Sequence, residues 1–209
     1  MDQATNWPHR VSPKPALSQA LDAMAKANLP TVAAKSGCSY EGGKIRVPFL
    51  HHTYSVSFPE VRVEEDGDSP PSWEIQLIIL HYLVNAAGTP PSGMWITYRH
   101  IPDAFLFEPR FNAIAVHPLA RAFGSDLDGF CRASKALGGI EMTRTGDASY
   151  RFSALPQIPM GCTLYLADDE LTASVSILFD AAVAQYLCAE DVAYLGIHFS
   201  DSLLKVAGK

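Results

Sequence analysis

The chain is expected to be an α+β protein, with a mostly antiparallel sheet packed against several helices in a single domain. Three observations predict this. Short runs that alternate β-branched or aromatic residues with polar ones recur over 44–63 and 140–179, as half-buried strands do. Segments with helical apolar spacing stand apart from those runs, at 16–27, 73–86, 112–137 and 180–206. The regular strand–helix–strand alternation that a parallel sheet needs is missing.

Residues 1–15 hold three of the prolines and little periodicity, and read as a loosely held arm before a domain over 16–209. Ala16 to Ala27 places Leu17, Leu21 and Met24 along one face, so it is a helix. Ile45, Val47, Phe49, Tyr54, Val56, Phe58, Val61 and Val63 mark two or three strands, with turns near His51-His52 and Pro59. The acidic stretch 64–71 is an exposed loop. Ser72 is placed to cap a helix from Trp73 to about Ala86, stopped by Gly88. That helix is apolar on nearly every side and belongs at the centre.

Thr89 to Gly93 is a turn, and Met94 to Tyr98 a strand. Asn112 to Ala122 is helical, with a kink or late start at Pro118. Asp126 to Leu137 is a second short helix, ended by Gly138-Gly139. Ile140–Met142, Ser149–Phe152 and Thr163–Leu166 form a meander, with Gly146-Asp147 turning between the first two. Val175–Phe179 adds a strand. Asp180 caps a helix through Leu187, and Ala189-Glu190-Asp191 opens the last one, with Val192, Leu195, Phe199, Leu203 and Val206 as its buried stripe.

Composition narrows the function classes. Of 209 residues, 48% are hydrophobic and 18% charged, a globular balance rather than a disordered one. The net charge is −6 and the 16 basic residues are scattered, which argues against a nucleic-acid partner. The longest apolar run, Ile75 to Val84, is interrupted by Gln76 and His81 and falls short of the roughly 20 residues of a membrane span. The N-terminus lacks a basic start followed by an apolar core, so no secretory signal is expected. Cys38, Cys131, Cys162 and Cys188 have no C-x-x-C spacing and are expected as reduced thiols in the cytoplasm. P-loop, dinucleotide-glycine, G-x-S-x-G, H-E-x-x-H and zinc-finger patterns are absent.

Three constellations carry chemistry. Glu74, Ile78, His81 and Asn85 share one narrow face of the central helix, and its polar groups must reach water, a partner or a ligand. A neutral His81 imidazole there is a candidate metal ligand, axial to a tetrapyrrole, if a neighbouring group holds its other nitrogen. The structural alternative is a solvent-facing stripe or a hydrogen-bonded core histidine. After the proline turn, Trp95, Arg99 and His100 are candidate ligand-binding residues, with Arg99 suited to clamp a carboxylate or phosphate. The alternative is a turn into a strand that packs its aromatic in the core. Asp168, Asp169, Glu170, Asp180, Glu190 and Asp191 would suit Mg²⁺ or acid–base work if they converged. Asp180 and Glu190-Asp191 also suit helix starts, where carboxylates accept free N–H groups. His51-His52 is a weaker pair. Tyr194, His198 and Asp201 read as a solvated face of the last helix.

The segments Leu80-His81-Tyr82-Leu83, Pro90 through Pro102, Phe123-Gly124, Leu137-Gly138-Gly139, Gly146-Asp147 and Pro156 through Asp191 resemble, as an ordered set, a bacterial and archaeal family, domain-of-unknown-function family 3786. The resemblance spans roughly 75–205. It implies a cytoplasmic, cofactor-associated role in anaerobes. Some family members resemble fusions to iron–sulfur domains, and the cysteine spacing of such a segment is absent here.

The function expected is therefore a cytoplasmic ligand- or cofactor-binding accessory protein, with haem or a corrinoid as the specific ligand. Its site would use His81, Trp95, Arg99, His100 and Asp180. One alternative is a small-molecule enzyme using carboxylates and histidine, with or without Mg²⁺. Another is a ligand-free interaction module that meets a protein partner or a second copy.

Overall fold

The computed structural model describes residues 13–65, 70–143 and 146–209. Most of the arm expected over 1–15 and part of the acidic loop lie outside them. Pro13 to Pro15 belong to helix α1, Pro13–Ala25.

Helix α2, Leu29–Ser36, follows, capped by Asn28, whose side chain accepts from the Thr31 N–H at 3.1 Å. Its end is Gly37, at φ +70°, a left-handed conformation in which a side chain would be strained. Strands β1 (Ser39–Glu41), β2 (Lys44–Phe49), β3 (His52–Ser57) and β4 (Arg62–Glu65) form an antiparallel meander. In β2 exposed and buried residues alternate strictly, so Ile45, Val47 and Phe49 face inward.

Helix α3, Trp73–Val84, is central: Ile78, Ile79, Leu80, Tyr82 and Leu83 are fully buried. It packs against α1, α2 and the last helix. The second sheet is antiparallel in the order β5–β9–β8–β7–β6. Its strands are β5 (Trp95–Thr97), β6 (Ile140–Glu141), β7 (Ala148–Leu155), β8 (Ile158–Tyr165) and β9 (Ser174–Asp180). The Leu50 N–H donates to the Ala154 carbonyl at 2.8 Å and ties the first sheet to the second. The α+β, antiparallel expectation holds, but the strands form a four-stranded and a five-stranded sheet rather than one.

Between the sheets' strands in sequence lie α4 (Glu108–Phe111), a π-helical segment (Asn112–Val116), α5 (His117–Phe123) and α6 (Leu127–Ala136). The π-helical segment sits where Pro118 predicted a kink. Pro118 has no N–H to offer the preceding turn, and the His117 N–H instead reaches the Asn112 carbonyl, five residues back.

Helix α7, Ala189–Val206, runs through the core. Val192, Leu195, Phe199 and Leu203 are fully buried as expected, whereas Val206 is exposed. Tyr194 departs from the solvated face read for it, because Trp73 covers its ring edge-to-face at 5.3 Å. Gly196 allows close approach of α7 to Phe111: a Cβ there would stand 2.6 Å from the Phe111 ring.

Candidate functional site

His81 leaves α3 toward the N-terminal end of α7. Its Nδ1 lies 2.8 Å from Asp191 Oδ2. A carboxylate only accepts, so Nδ1 carries the hydrogen. Asp191 is buried, 1% exposed, and its position follows from helix chemistry. It is the third residue of α7, and its carboxylate reaches back to the Cys188 N–H at 3.3 Å in a capping box. The Cys188 thiol donates to the same oxygen at 3.2 Å.

His81, Cys188 and Asp191 thus place a ring nitrogen, a sulfur and a carboxylate oxygen within 4.8 Å of one another. Among the described residues no other three His, Cys, Asp or Glu side chains meet this way. The group opens into a cleft of about 340 Å³, walled by Gln19, Ala20 and Ala23 of α1, by Val84 of α3 and by Asn85, which caps the end of α3. Asn85 is fixed by its side-chain amide, which donates to the Tyr186 carbonyl at 2.8 Å.

The electrostatics follow from the pairing. Burial alone would lower the His81 pKa. The hydrogen bond to Asp191 and the charges of Asp191 and Glu190 outweigh it, and the net direction is upward from 6.5. Cys188 is exposed as a residue, but its sulfur lies against Asp191. Burial of that thiol, then the Asp191 charge, pushes it up to about 11. With its pKa at about 11 the Cys188 sulfur stays a protonated thiol at neutral pH, sharing one carboxylate with the His81 ring.

The other expected residues lie elsewhere. Trp95 is half-buried in β5, paired with Asp180 across the strands. Arg99 is exposed, 3.9 Å from Glu108 Oε2, with its guanidinium 5.0 Å from the centre of the Phe105 ring. His100 Nδ1 and Thr97 Oγ1 are hydrogen-bonded at 2.9 Å.

Asp180 is 1% exposed, and its oxygens accept from the N–H groups of Ser92 (2.8 Å), Gly93 (2.7 Å) and Ala182 (2.9 Å) and from the Ser92 hydroxyl (2.8 Å). Burial would raise its pKa, but those bonds to the charged form hold it below the usual value. Asp180 therefore shapes the Pro90–Gly93 turn. Asp168 is spent on the N–H groups of Glu170 and Leu171, at 2.9 and 2.6 Å. Among the described residues, Asp168, Asp169 and Asp180 belong to no group of three His, Cys, Asp or Glu side chains within ligand distance.

A larger cleft, about 480 Å³, runs along the π-helical segment and carries Glu108, Asn112 and His117. Size does not make it the better site, because among the described residues His117 and Glu108 belong to no group of three His, Cys, Asp or Glu side chains within ligand distance. No helix among the described residues is long and apolar enough to cross a membrane.

Sequence reasoning found His81 and the capping role of Asp191 but did not join them. The available signal was Cys188-x-x-Asp191 at a helix start, which puts both side chains over the same N-terminal turn.

These features define an α+β protein with a histidine–carboxylate–thiol cleft at the junction of two buried helices. The chain belongs to the family described as a domain of unknown function, DUF3786, whose model matches residues 28–202. The match takes in α2, the first sheet and all three residues of the cleft, and leaves out α1. No curated protein and no solved structure matches the chain.

Proposed function

We propose that this protein binds a cofactor in the cleft beside His81, with the imidazole as the coordinating group, and that haem or a corrinoid is the ligand to try first. The observation that carries this is the 2.8 Å contact of His81 Nδ1 with buried Asp191. Metal-bound imidazoles nearly always donate their other N–H to such a carboxylate, which fixes the tautomer and makes the coordinating nitrogen more basic. With Nδ1 committed to Asp191, Nε2 is the coordinating atom. The His81 side chain is 25% exposed and lines the cleft, so it is accessible.

Two costs accompany the reading. The upward pKa of His81 means that, at neutral pH, part of the population must lose a proton before Nε2 coordinates. The cleft's about 340 Å³ lies at the small end for a ligand pocket. A tetrapyrrole therefore needs α1, which supplies one wall, to move aside. An accessory role in a reducing, cytoplasmic setting, where Cys188 stays a free thiol, goes with this reading.

The test is anaerobic purification, followed by the visible spectrum and metal content of one sample, then titration with hemin and with a cobalt corrinoid. Near-stoichiometric iron or cobalt, or saturable binding lost in His81→Ala, is expected. Binding that His81→Ala leaves unchanged refutes His81 as the ligand.

A further inference from the structure

We infer that His81 Nδ1, Asp191 Oδ2 and Cys188 Sγ are themselves a binding site for a single divalent transition-metal ion of the zinc or cobalt class. This rests on the same cleft being the functional site but uses different donor atoms, since a tetrapyrrole would take His81 Nε2 and leave Cys188 unused.

The distances support the inference. A tetrahedral ion with bonds of about 2.0 Å to nitrogen and oxygen and about 2.3 Å to sulfur holds N and O about 3.3 Å apart and each about 3.5 Å from S. The free protein holds N and O at 2.8 Å and O and S at 3.2 Å. All three atoms lie within 4.8 Å of one another. Side-chain adjustments of a few tenths of an ångström open the first two spacings, and the imidazole and thiol close on each other. The hydrogens that now point at Asp191 Oδ2 occupy the place the ion would take. On binding, the Cys188 thiol proton leaves to solvent and the neutral imidazole carries its proton on Nε2.

The donor set selects the ion. Sulfur and nitrogen with a single carboxylate suit a borderline-soft ion. Mg²⁺ and Ca²⁺ prefer all-oxygen shells. Capping alone does not explain the group. Asp191 suffices for the helix, and the cap position it answers is ordinarily Ser, Thr, Asp or Asn, with sulfur a weak substitute. His81 comes from α3, 110 residues from Asp191 in sequence. Three protein ligands leave a fourth position facing the cleft, as in zinc sites that bind a water or a substrate donor. The ion would also join α3 to α7.

The experiment uses the full chain, treated with chelator and titrated with Co²⁺ as the optical probe and Zn²⁺ as competitor. A 1:1 complex with a thiolate-to-cobalt charge-transfer band and the strong visible bands of a four-coordinate ion is expected. Cys188→Ser should abolish the charge-transfer band and weaken Zn²⁺ by at least about 10-fold, as His81→Gln and Asp191→Asn should. Cys38→Ser should change neither. Circular dichroism establishes that each variant is folded. Co²⁺ binding without a thiolate band, or Zn²⁺ binding equally tight in folded Cys188→Ser, overturns the inference. The two readings fail separately: Cys188→Ser removes the ion and spares a tetrapyrrole on Nε2, whereas His81→Gln removes both.

Discussion

Asp191→Asn is the most informative single change, because one carboxylate oxygen serves both His81 and the start of α7. Asn preserves shape and one acceptor but removes the charge. A hydrogen bond to a charged group contributes about 1.5–3 kcal/mol and a neutral one about 0.5–1.5. The His81 contact at 2.8 Å therefore loses on the order of 1 kcal/mol. A negative charge in the first turn of a helix adds about 0.3–1 kcal/mol more, and this one is buried. The total loss is about 2 kcal/mol, or roughly 4–8 °C in Tm for a chain of this size.

The loss carries a pH signature. The folded pKa of His81 is raised above 6.5, so its stabilisation is fully present below that value and disappears as pH rises through the folded pKa. The stability gap between wild type and Asp191→Asn should be widest on the acidic side and narrow in mild alkali. Urea unfolding at several pH values measures the gap, and an NMR titration of His81 should show its pKa falling in the variant. A gap below about 0.5 kcal/mol with an unmoved His81 titration would refute the coupling.

Three further outcomes are expected. Gly196→Ala puts a methyl 2.6 Å from the Phe111 ring and should cost about 1–3 kcal/mol by overpacking, read by urea unfolding; a neutral result would mean that α7 and Phe111 are farther apart. Asp180→Ala removes the charged acceptor of the Ser92, Gly93 and buried Ala182 N–H groups and should cost about 3 kcal/mol, with faster amide exchange at Ser92 and Gly93; unchanged exchange there would contradict its turn-holding role. Cys162, fully buried with its thiol pushed far up, should resist thiol reagents until unfolding, while Cys188, pushed up to about 11, reacts slowly in the native state and faster as pH rises. Early modification of Cys162, mapped by mass spectrometry, would speak against this packing.

The elements were legible where one segment carries its own pattern. Trp73 to Val84 and Ala189 to Val206 announce themselves by apolar spacing and by their start residues. Helix α2 went unread although Asn28, an early proline and Gly37 bracket it, because eight residues give too few turns for a face to show. The division into two sheets was not legible. It depends on which strands pair and on contacts such as Leu50 with Ala154, which no local window contains.

The site divides the same way. His81 was visible as a polar residue on an apolar helix, and Asp191 as a carboxylate at a helix start. That the two share a hydrogen is a fact of tertiary packing. Asp180 drew attention as an acid in an apolar run, and its burial is explained by the four donors that surround it.

The proposed bond between His81 and a metal-bearing cofactor has a direct spectroscopic signature. A long-range ¹H–¹⁵N spectrum of histidine-labelled protein tests it most directly, recorded before and after adding a diamagnetic cobalt(III) corrinoid and, separately, zinc protoporphyrin. His81 Nε2 is expected to shift to a metal-bound position with at least one of the two, while Nδ1 keeps its hydrogen to Asp191. His81 signals unmoved by saturating amounts of both, or shifts confined to His51, His52, His100 or His117, would contradict it.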